Sequence, residues 1–307
     1  MNAFRRPASG RLAVGAALVL PLLAFVLPPL LTGCSLFPTT RKLPIPKPPT
    51  VEQTLSPDAL VDELNQRWES LNTLTATVEI QATVTKSKEG KATDYPSVHG
   101  NILIRKPGAL RVLGRYLGLL AFDMASDGKD FVLSIPQYKK AIKGSNNLRK
   151  KSDNAFENLR PKFFMDAMMV RGVEKGDRYS VTQDTFTVED AARKHLYSVP
   201  EYVLRITRPK GGSSEDLPVR VVHFHRDDLR PYQQDVYDNE GKLETQVFYA
   251  AYQDFDSANY PSHITIKCPQ EEIEINLTVD RVIENQVLKD DQFVVAIPDG
   301  ATVQNLD

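Results

Sequence analysis

The stretch Leu74-Thr75-Ala76-Thr77-Val78-Glu79-Ile80-Gln81-Ala82-Thr83-Val84-Thr85 alternates without a break. Ala76, Val78, Ile80, Ala82 and Val84 fall on one face, and Thr75, Thr77, Glu79, Gln81 and Thr83 fall on the other. Strand side chains point to opposite faces in turn, whereas a helix needs a spacing near 3.6, so this pattern is a half-buried strand. Its apolar face needs a sheet and a core to cover it, and the rest of the chain supplies the partners.

Working outward, strands are expected at 98–106, 109–115, 119–126, 129–135 and 138–143, then at 178–188, 195–208, 218–226, 232–238, 243–252, 262–268 and 271–284. Between them lie Lys88-Glu89-Gly90, Lys106-Pro107-Gly108, Asp127-Gly128, Lys210-Gly211-Gly212 and Asn239-Glu240-Gly241. Such pieces turn a chain tightly and mark hairpins. No strand–helix–strand alternation and no internal repeat is visible, so a parallel α/β sheet is excluded. Consecutive hairpins make a long antiparallel meander, which curls rather than lying flat. The expected fold is mainly β with a few helices (α+β), a curved antiparallel half-barrel over residues 58–307.

Two segments read as helix. Ser56-Pro57-Asp58 offers a cap residue, a proline at the first turn and an acid, and Leu60, Leu64, Trp68 and Leu71 then recur at helical spacing. Residues 153–171 read as a helix kinked or restarted at Pro161, carrying Phe156, Leu159, Phe163, Phe164, Met165, Met168 and Met169. A helix this apolar plugs the open side of the sheet. Met and Phe also make an adaptable wall for an irregular apolar ligand.

The N-terminus is an address. Arg5, Arg6 and Arg11 precede an apolar run from Leu12 to Leu31, broken by Pro21, Pro28 and Pro29. By length alone the run could be an export signal or a membrane anchor. Leu31-Thr32-Gly33-Cys34 resembles a bacterial lipobox, which decides for a lipoprotein signal peptide over 1–33 and for diacylglycerol attached to the Cys34 thiol. Residues 34–57 hold six prolines, at 38, 44, 46, 48, 49 and 57. They read as a semi-rigid polyproline tether. Ser35 follows the cysteine where an aspartate would mark inner-membrane retention, so the expected address is the outer membrane, on its periplasmic face.

Composition narrows the functions. Lys and Arg total 38 against 39 Asp and Glu, a net charge of −1, and without a basic surplus the chain is not a nucleic-acid binder. Two cysteines, Cys34 and Cys268, exclude a disulfide framework and a four-thiolate zinc site; Cys268, on an alternating strand, reads as core. No Gly-x-Ser-x-Gly elbow, His-Glu-x-x-His, phosphate loop or Cys-x-x-Cys is present. His223 and His225 share a strand face and could start a metal site with Asp227 or Asp228, but they more simply mark a solvated face opposite Val222 and Phe224. Neither an enzyme nor a metal or cofactor is expected, beyond the lipid on Cys34.

Residues 100–112, Gly-Asn-Ile-Leu-Ile-Arg-Lys-Pro-Gly-Ala-Leu-Arg-Val, continue through Tyr116-Leu117-Gly118-Leu119-Leu120 to Asp127-Gly128-Lys129-Asp130-Phe131-Val132-Leu133-Ser134-Ile135-Pro136. With Asp291-Gln292-Phe293-Val294-Val295-Ala296-Ile297-Pro298-Asp299-Gly300-Ala301, this resembles the LolA/LolB lipoprotein-sorting superfamily, its lipidated LolB-like member above all. The chain departs from that pattern by extra length around 185–245. The resemblance implies a lipid-anchored protein that binds acyl chains or other lipoproteins, with a periplasmic carrier protein as a partner. It also implies a protruding leucine in the "Leu-Gly" loop, the position of Leu117, with Leu119 beside it. An apolar tip suits the same role on physical grounds, since turns ordinarily favour Gly, Asn, Asp and Pro. The competing reading from the same fold is a non-catalytic envelope scaffold or stress sensor with a filled core.

Overall fold

In a computed structural model, residues 54–146, 158–189, 196–212, 215–256 and 258–306 are described. The expected signal peptide over 1–33, Cys34, nearly all of the expected tether and residues 153–157 lie outside them. Ser56 caps helix α1 (Pro57–Ser70), its hydroxyl accepting the Ala59 N–H at 3.2 Å. The apolar stripe docks as expected, with Leu60, Val61, Leu64 and Leu71 buried and Trp68 packed partly against the core.

The strands follow: β1 (Thr73–Lys86), β2 (Lys91–Asp94), β3 (Val98–Arg105), β4 (Ala109–Tyr116), β5 (Leu119–Ser126), β6 (Asp130–Ile135) and β7 (Lys140–Ser145). After helix α2 (Pro161–Met168) come β8 (Arg178–Glu189), β9 (Leu196–Pro209), β10 (Asp216–His225), β11 (Pro231–Tyr237), β12 (Leu243–Phe255), β13 (Ala258–Cys268), β14 (Ile273–Glu284) and β15 (Thr302–Leu306). All belong to one open, curved sheet in the order β15-β7-β6-β5-β4-β3-β1-β14-β13-β12-β11-β10-β9-β8, with β2 paired to β1. Two antiparallel meanders, β3–β7 and β8–β14, are therefore joined through β1, which pairs with β3 on one side and β14 on the other.

On β1 the alternation works as read. Leu74, Ala76, Val78 and Ile80 are buried, while Thr77 and Gln81 are exposed. The same inward face continues across Ile102, Val112, Met124, Ile264, Ile275 and Leu277. Cys268 is part of this core, and burial pushes its thiol pKa up, away from reactivity. On the outer face, the chain after β14 crosses β3 and β4. Arg105 donates to the Leu288 carbonyl and pairs with Asp290 at 2.6 Å, and Arg111 donates to the Gln292 carbonyl while chelating Asp123 at 2.9 and 2.6 Å. That crossing delivers β15 parallel to β7, from Thr302 opposite Lys140 to Leu306 opposite Gly144.

Of the expected helix over 153–171, residues 153–157 lie outside the described ones, and the expected restart at Pro161 is found: the helix there spans Pro161–Met168, with Arg160 before it and Met169 after it extended, so the reading needs correcting at 169–171. Proline can begin a helix but pushes the preceding residue out of the helical region. Beyond Met169 the chain is drawn toward α1, where Asn65 Oδ1 accepts the Val173 N–H at 2.8 Å and Gly172 packs so close to Asn65 that a Cβ would sit 2.4 Å from Oδ1.

The eight-residue α2 is buried on nearly every side, yet it carries a charge. Asp166 is 2% exposed and lies 3.4 Å from Lys162 and 3.1 Å from Arg171. Lys162 also bonds Glu244. Burial alone would raise the Asp166 pKa, but Lys162, then Arg171 and Arg220, outweigh it and hold the carboxyl below its ordinary value. A carboxylate depressed in the folded state stabilises fully above its unfolded pKa of about 3.9, and that stabilisation is lost as pH falls through the lower folded value. Asp166→Ala should therefore cost about 3–5 kcal/mol at neutral pH, because two cations lose their partner in the interior. Urea melts at pH 7 and pH 3 should show a smaller acid-induced loss for Asp166→Asn than for the natural chain; equal losses would show that the carboxylate is not held by its neighbours.

Candidate functional site

Strands β4 and β5 meet in a two-residue turn, with Tyr116 opposite Leu119 and Leu117-Gly118 between them. Both turn residues have positive φ, 49° and 82°. This is the mirror-image turn that suits twisted hairpins and ordinarily takes Asn-Gly or Gly-Gly. A leucine held left-handed costs on the order of 1 kcal/mol. Nothing covers it in return, for Leu117 is 85% exposed, Leu119 77% and Tyr116 46%. The loop leucines do not tuck under the sheet. A register shift at Gly114/Arg115 precedes the tip, and the Phe122 ring lies across Gly114, where a Cβ would be 2.4 Å from it.

The α2 residues are placed differently. Phe163, Phe164, Met165, Met168 and Met169 are all between 1% and 4% exposed and belong to the main core. A helix apolar around most of its circumference belongs in an interior. Its C-terminal carbonyls are tied down, since Tyr260 Oη donates to Met168 O at 2.6 Å and Met169 N–H to Met165 O at 3.1 Å. Gln234 anchors the middle through Asp166 O and reaches Tyr249 Oη at 2.7 Å.

Between α1, the end of α2 and strands β12–β13 lies an apolar cavity of about 290 Å³. Met168 and Met169 form one wall, Leu64 and Trp68 another, and Tyr252 and Phe224 the floor, with Arg67 and Arg230 at the lining's charged part. Tyr252 keeps its hydroxyl satisfied on Pro231 O at 2.7 Å, and burial pushes its pKa up, so it stays a neutral wall. Phe163 and Met165 line other cavities, and Leu117 and Leu119 line none of these. The structure thus separates the sequence-derived residues into an exposed tip, a two-methionine cavity wall and three residues whose work is packing.

One cluster escaped the sequence reading. His223 and His225 do share a face opposite buried Val222 and Phe224, but that face is not simply solvated. His223 Nδ1 lies 2.8 Å from Glu201, itself 5% exposed, and Tyr232 Oη donates to the same carboxylate at 2.6 Å. Tyr232, set at an irregularity in the β10–β11 register, stacks between His225 and Phe186 at 4.6 and 4.7 Å. The β9–β10 register, which puts Glu201 opposite His225, is the signal that could have revealed it. No three metal-ligating side chains come together among the described residues, and no helix there is long and apolar enough to cross a membrane.

The sequence matches no family model, and no curated protein matches it significantly. Among solved structures the chain is similar to a DUF1329 family protein from Desulfovibrio piger, at 13% identity over 76% of this chain and 94% of that one, with a TM-score of 0.47. It is similar to a domain from Vibrio parahaemolyticus provisionally assigned to outer membrane lipoprotein sorting, at 13% identity over 76% and 94%, with a TM-score of 0.46. It is also similar to a LolA superfamily protein from Nitrosomonas europaea, at 12% identity over 79% and 99%, with a TM-score of 0.47.

Proposed function

We propose that the protein is a non-catalytic, lipid-anchored acceptor of acyl chains or acylated proteins in the cell envelope, held by Cys34 to the periplasmic face of the outer membrane. The β4–β5 tip carries the reading. A leucine in a strained turn conformation with most of its surface in water is unfavourable twice over, and an exposed apolar cluster of that kind marks a contact site. Leu117 and Leu119 meet the membrane or the acylated cargo, and the acyl chain enters the cavity beside α1 that is lined by Met168 and Met169. Transfer then runs on hydrophobic free energy alone, about 0.8 kcal/mol per methylene and on the order of 10 kcal/mol for a C16 chain before ordering costs. A periplasmic carrier protein would deliver the cargo. Phe163, Phe164 and Met165 support that wall from behind.

The scaffold reading also has an observation in its favour: about 290 Å³ falls just below the ~300–1,000 Å³ usual for ligand pockets. Acyl-probe binding by the natural chain separates the two, since a filled scaffold takes up no probe.

Leu117→Asn tests the tip. Asparagine accepts the left-handed conformation that leucine resists, so stability should rise by up to about 1 kcal/mol while liposome binding or lipoprotein transfer falls. Lower stability with unchanged binding would show the leucine to be structural. Leu117→Glu should likewise leave melting within about 0.5 kcal/mol of the natural chain and abolish binding. The anchor is tested by intact mass: residues 1–33 should be absent and lipid present on Cys34, whereas Cys34→Ala should accumulate as an uncleaved precursor. A cleaved, soluble Cys34→Ala protein would refute lipidation.

A further inference from the structure

A second cavity, about 470 Å³, opens beside α2 and shares no wall residue with the apolar one. Its walls are charged on both signs, and several of these charges are paired. Lys162 is held by Glu244 and Asp166, Arg208 by Glu174 at 3.0 Å and Asp177 at 2.7 Å, and Lys242 by Glu240 at 3.0 Å. Asp238 accepts the backbone N–H groups of Glu240 and Lys242 in its own turn.

Arg220 is not held in this way. It occupies an inward position of β10, two residues before Val222 and four before Phe224, and is 6% exposed. Its Nη1 donates to the Arg171 carbonyl at 2.9 Å, but among the described residues its Nε has no acceptor and no carboxylate forms an ion pair with it. Asp166 gives it the main compensating field, yet that carboxylate is already engaged by Lys162 and Arg171, and burial still pushes the Arg220 pKa down. Arg171 lines the same cavity, and its Nε, 3.1 Å from Asp166 Oδ1, is not aligned for a hydrogen bond either. Two neighbouring arginines, each with a buried Nε–H that makes no hydrogen bond, therefore line a polar hollow.

An uncompensated buried cation is unfavourable by several kcal/mol, and the guanidinium fork matches the oxygens of an oxyanion. A tetrahedral group with several equivalent oxygens can accept from both arginines at once, which one planar carboxylate does less well. We propose that Arg220 and Arg171 form a subsite for a phosphate group, either free phosphate or the headgroup of a phospholipid. Because acids alternate with cations around the rim, recognition is by short hydrogen bonds rather than by a long-range field. The subsite stands on its own residues and does not depend on the acyl-binding reading.

The test uses the full chain in a non-ionic, phosphate-free detergent at constant ionic strength. Nitrogen-15 resonances of the arginine Nε–H groups are followed during titration with inorganic phosphate, with short-chain phosphatidylglycerol, and with diacylglycerol as the phosphate-free control. Saturable movement of the Arg220 signal with inorganic phosphate assigns a free-phosphate site, and movement with the phospholipid alone assigns a headgroup site. No movement with either, or equal movement with diacylglycerol, overturns the proposal. Arg220→Met should abolish the phosphate-dependent rise in melting temperature, and a variant that keeps that rise also overturns it. If the variant does not fold, the natural chain's Arg220 resonance decides.

Discussion

The pairing of β1 with β14 is the constraint on which the rest depends. Leu74 sits opposite Glu284 and Val84 opposite Ile273, so residues some 200 positions apart are fixed in register at the middle of the sheet. Each meander on its own is a local structure of hairpins. Only their union through β1 makes an inward face wide enough to cover α2 and the core between its edges. Closing so long a loop costs entropy that grows only with the logarithm of its length, and a strand with one apolar face tolerates no one-residue slip, because a slip would turn Leu74, Ala76, Val78 and Ile80 to water. The shift at Thr77/Val78 shows the register being adjusted by a bulge instead.

The second consequence is the mixed character of the interior. A helix of eight residues is too short to be stable alone, and α2 exists because the sheet buries it. Its Phe and Met side chains meet the apolar core, while Lys162 and Asp166, one turn apart, are drawn into a charged network with Arg171 and Glu244. Such a network adds little net stability compared with an apolar filling, but removal of one member is costly. It fixes which side of α2 faces which cavity. A sorting-type acceptor with a purely apolar interior would need no such orientation.

Much of this was legible in the residues. Period-two alternation and glycine-bearing turns located thirteen of the fifteen strands, because a half-buried strand announces itself locally. The two that were missed carry no such pattern. β2, Lys-Ala-Thr-Asp, is wholly exposed and exists only as a return against β1. β15 lies parallel to β7, a pairing set by the arginine-held crossing of the outer face rather than by its own sequence. The restart of the helix at Pro161 was legible from the proline, but its C-terminal end was drawn past Met168 because apolar content was taken as helical content, when the pull of Asn65 limits it. Leu117 was legible as an apolar turn, and Met168 and Met169 as wall residues, but their separation into tip and cavity needed three dimensions. Arg220 was legible too, as a charge at an inward position of Arg-Val-Val-His-Phe; its significance depended on knowing that no carboxylate comes to meet it.

The two helices are held unequally, and this bears on where a guest would be admitted. α2 buries seven of its eight residues, and its backbone carbonyls receive Tyr260 and Gln234 from the sheet. α1 buries three of its fourteen. Besides the Val173 N–H on Asn65, its ties include hydrogen bonds from Tyr179 to Asp58, from Arg67 to the Asn259 carbonyl and from Lys106 to the Trp68 carbonyl, and just before it the Leu55 N–H donates to Tyr202 Oη. At about 1.5–3 kcal/mol for each buried large apolar side chain, displacing α1 costs far less than displacing α2. The apolar cavity lies between α1 and the strands, with the two methionines as the fixed wall. Under the proposed reading, a guest larger than the 290 Å³ cavity is therefore accommodated at the expense of α1, the less firmly held of its walls.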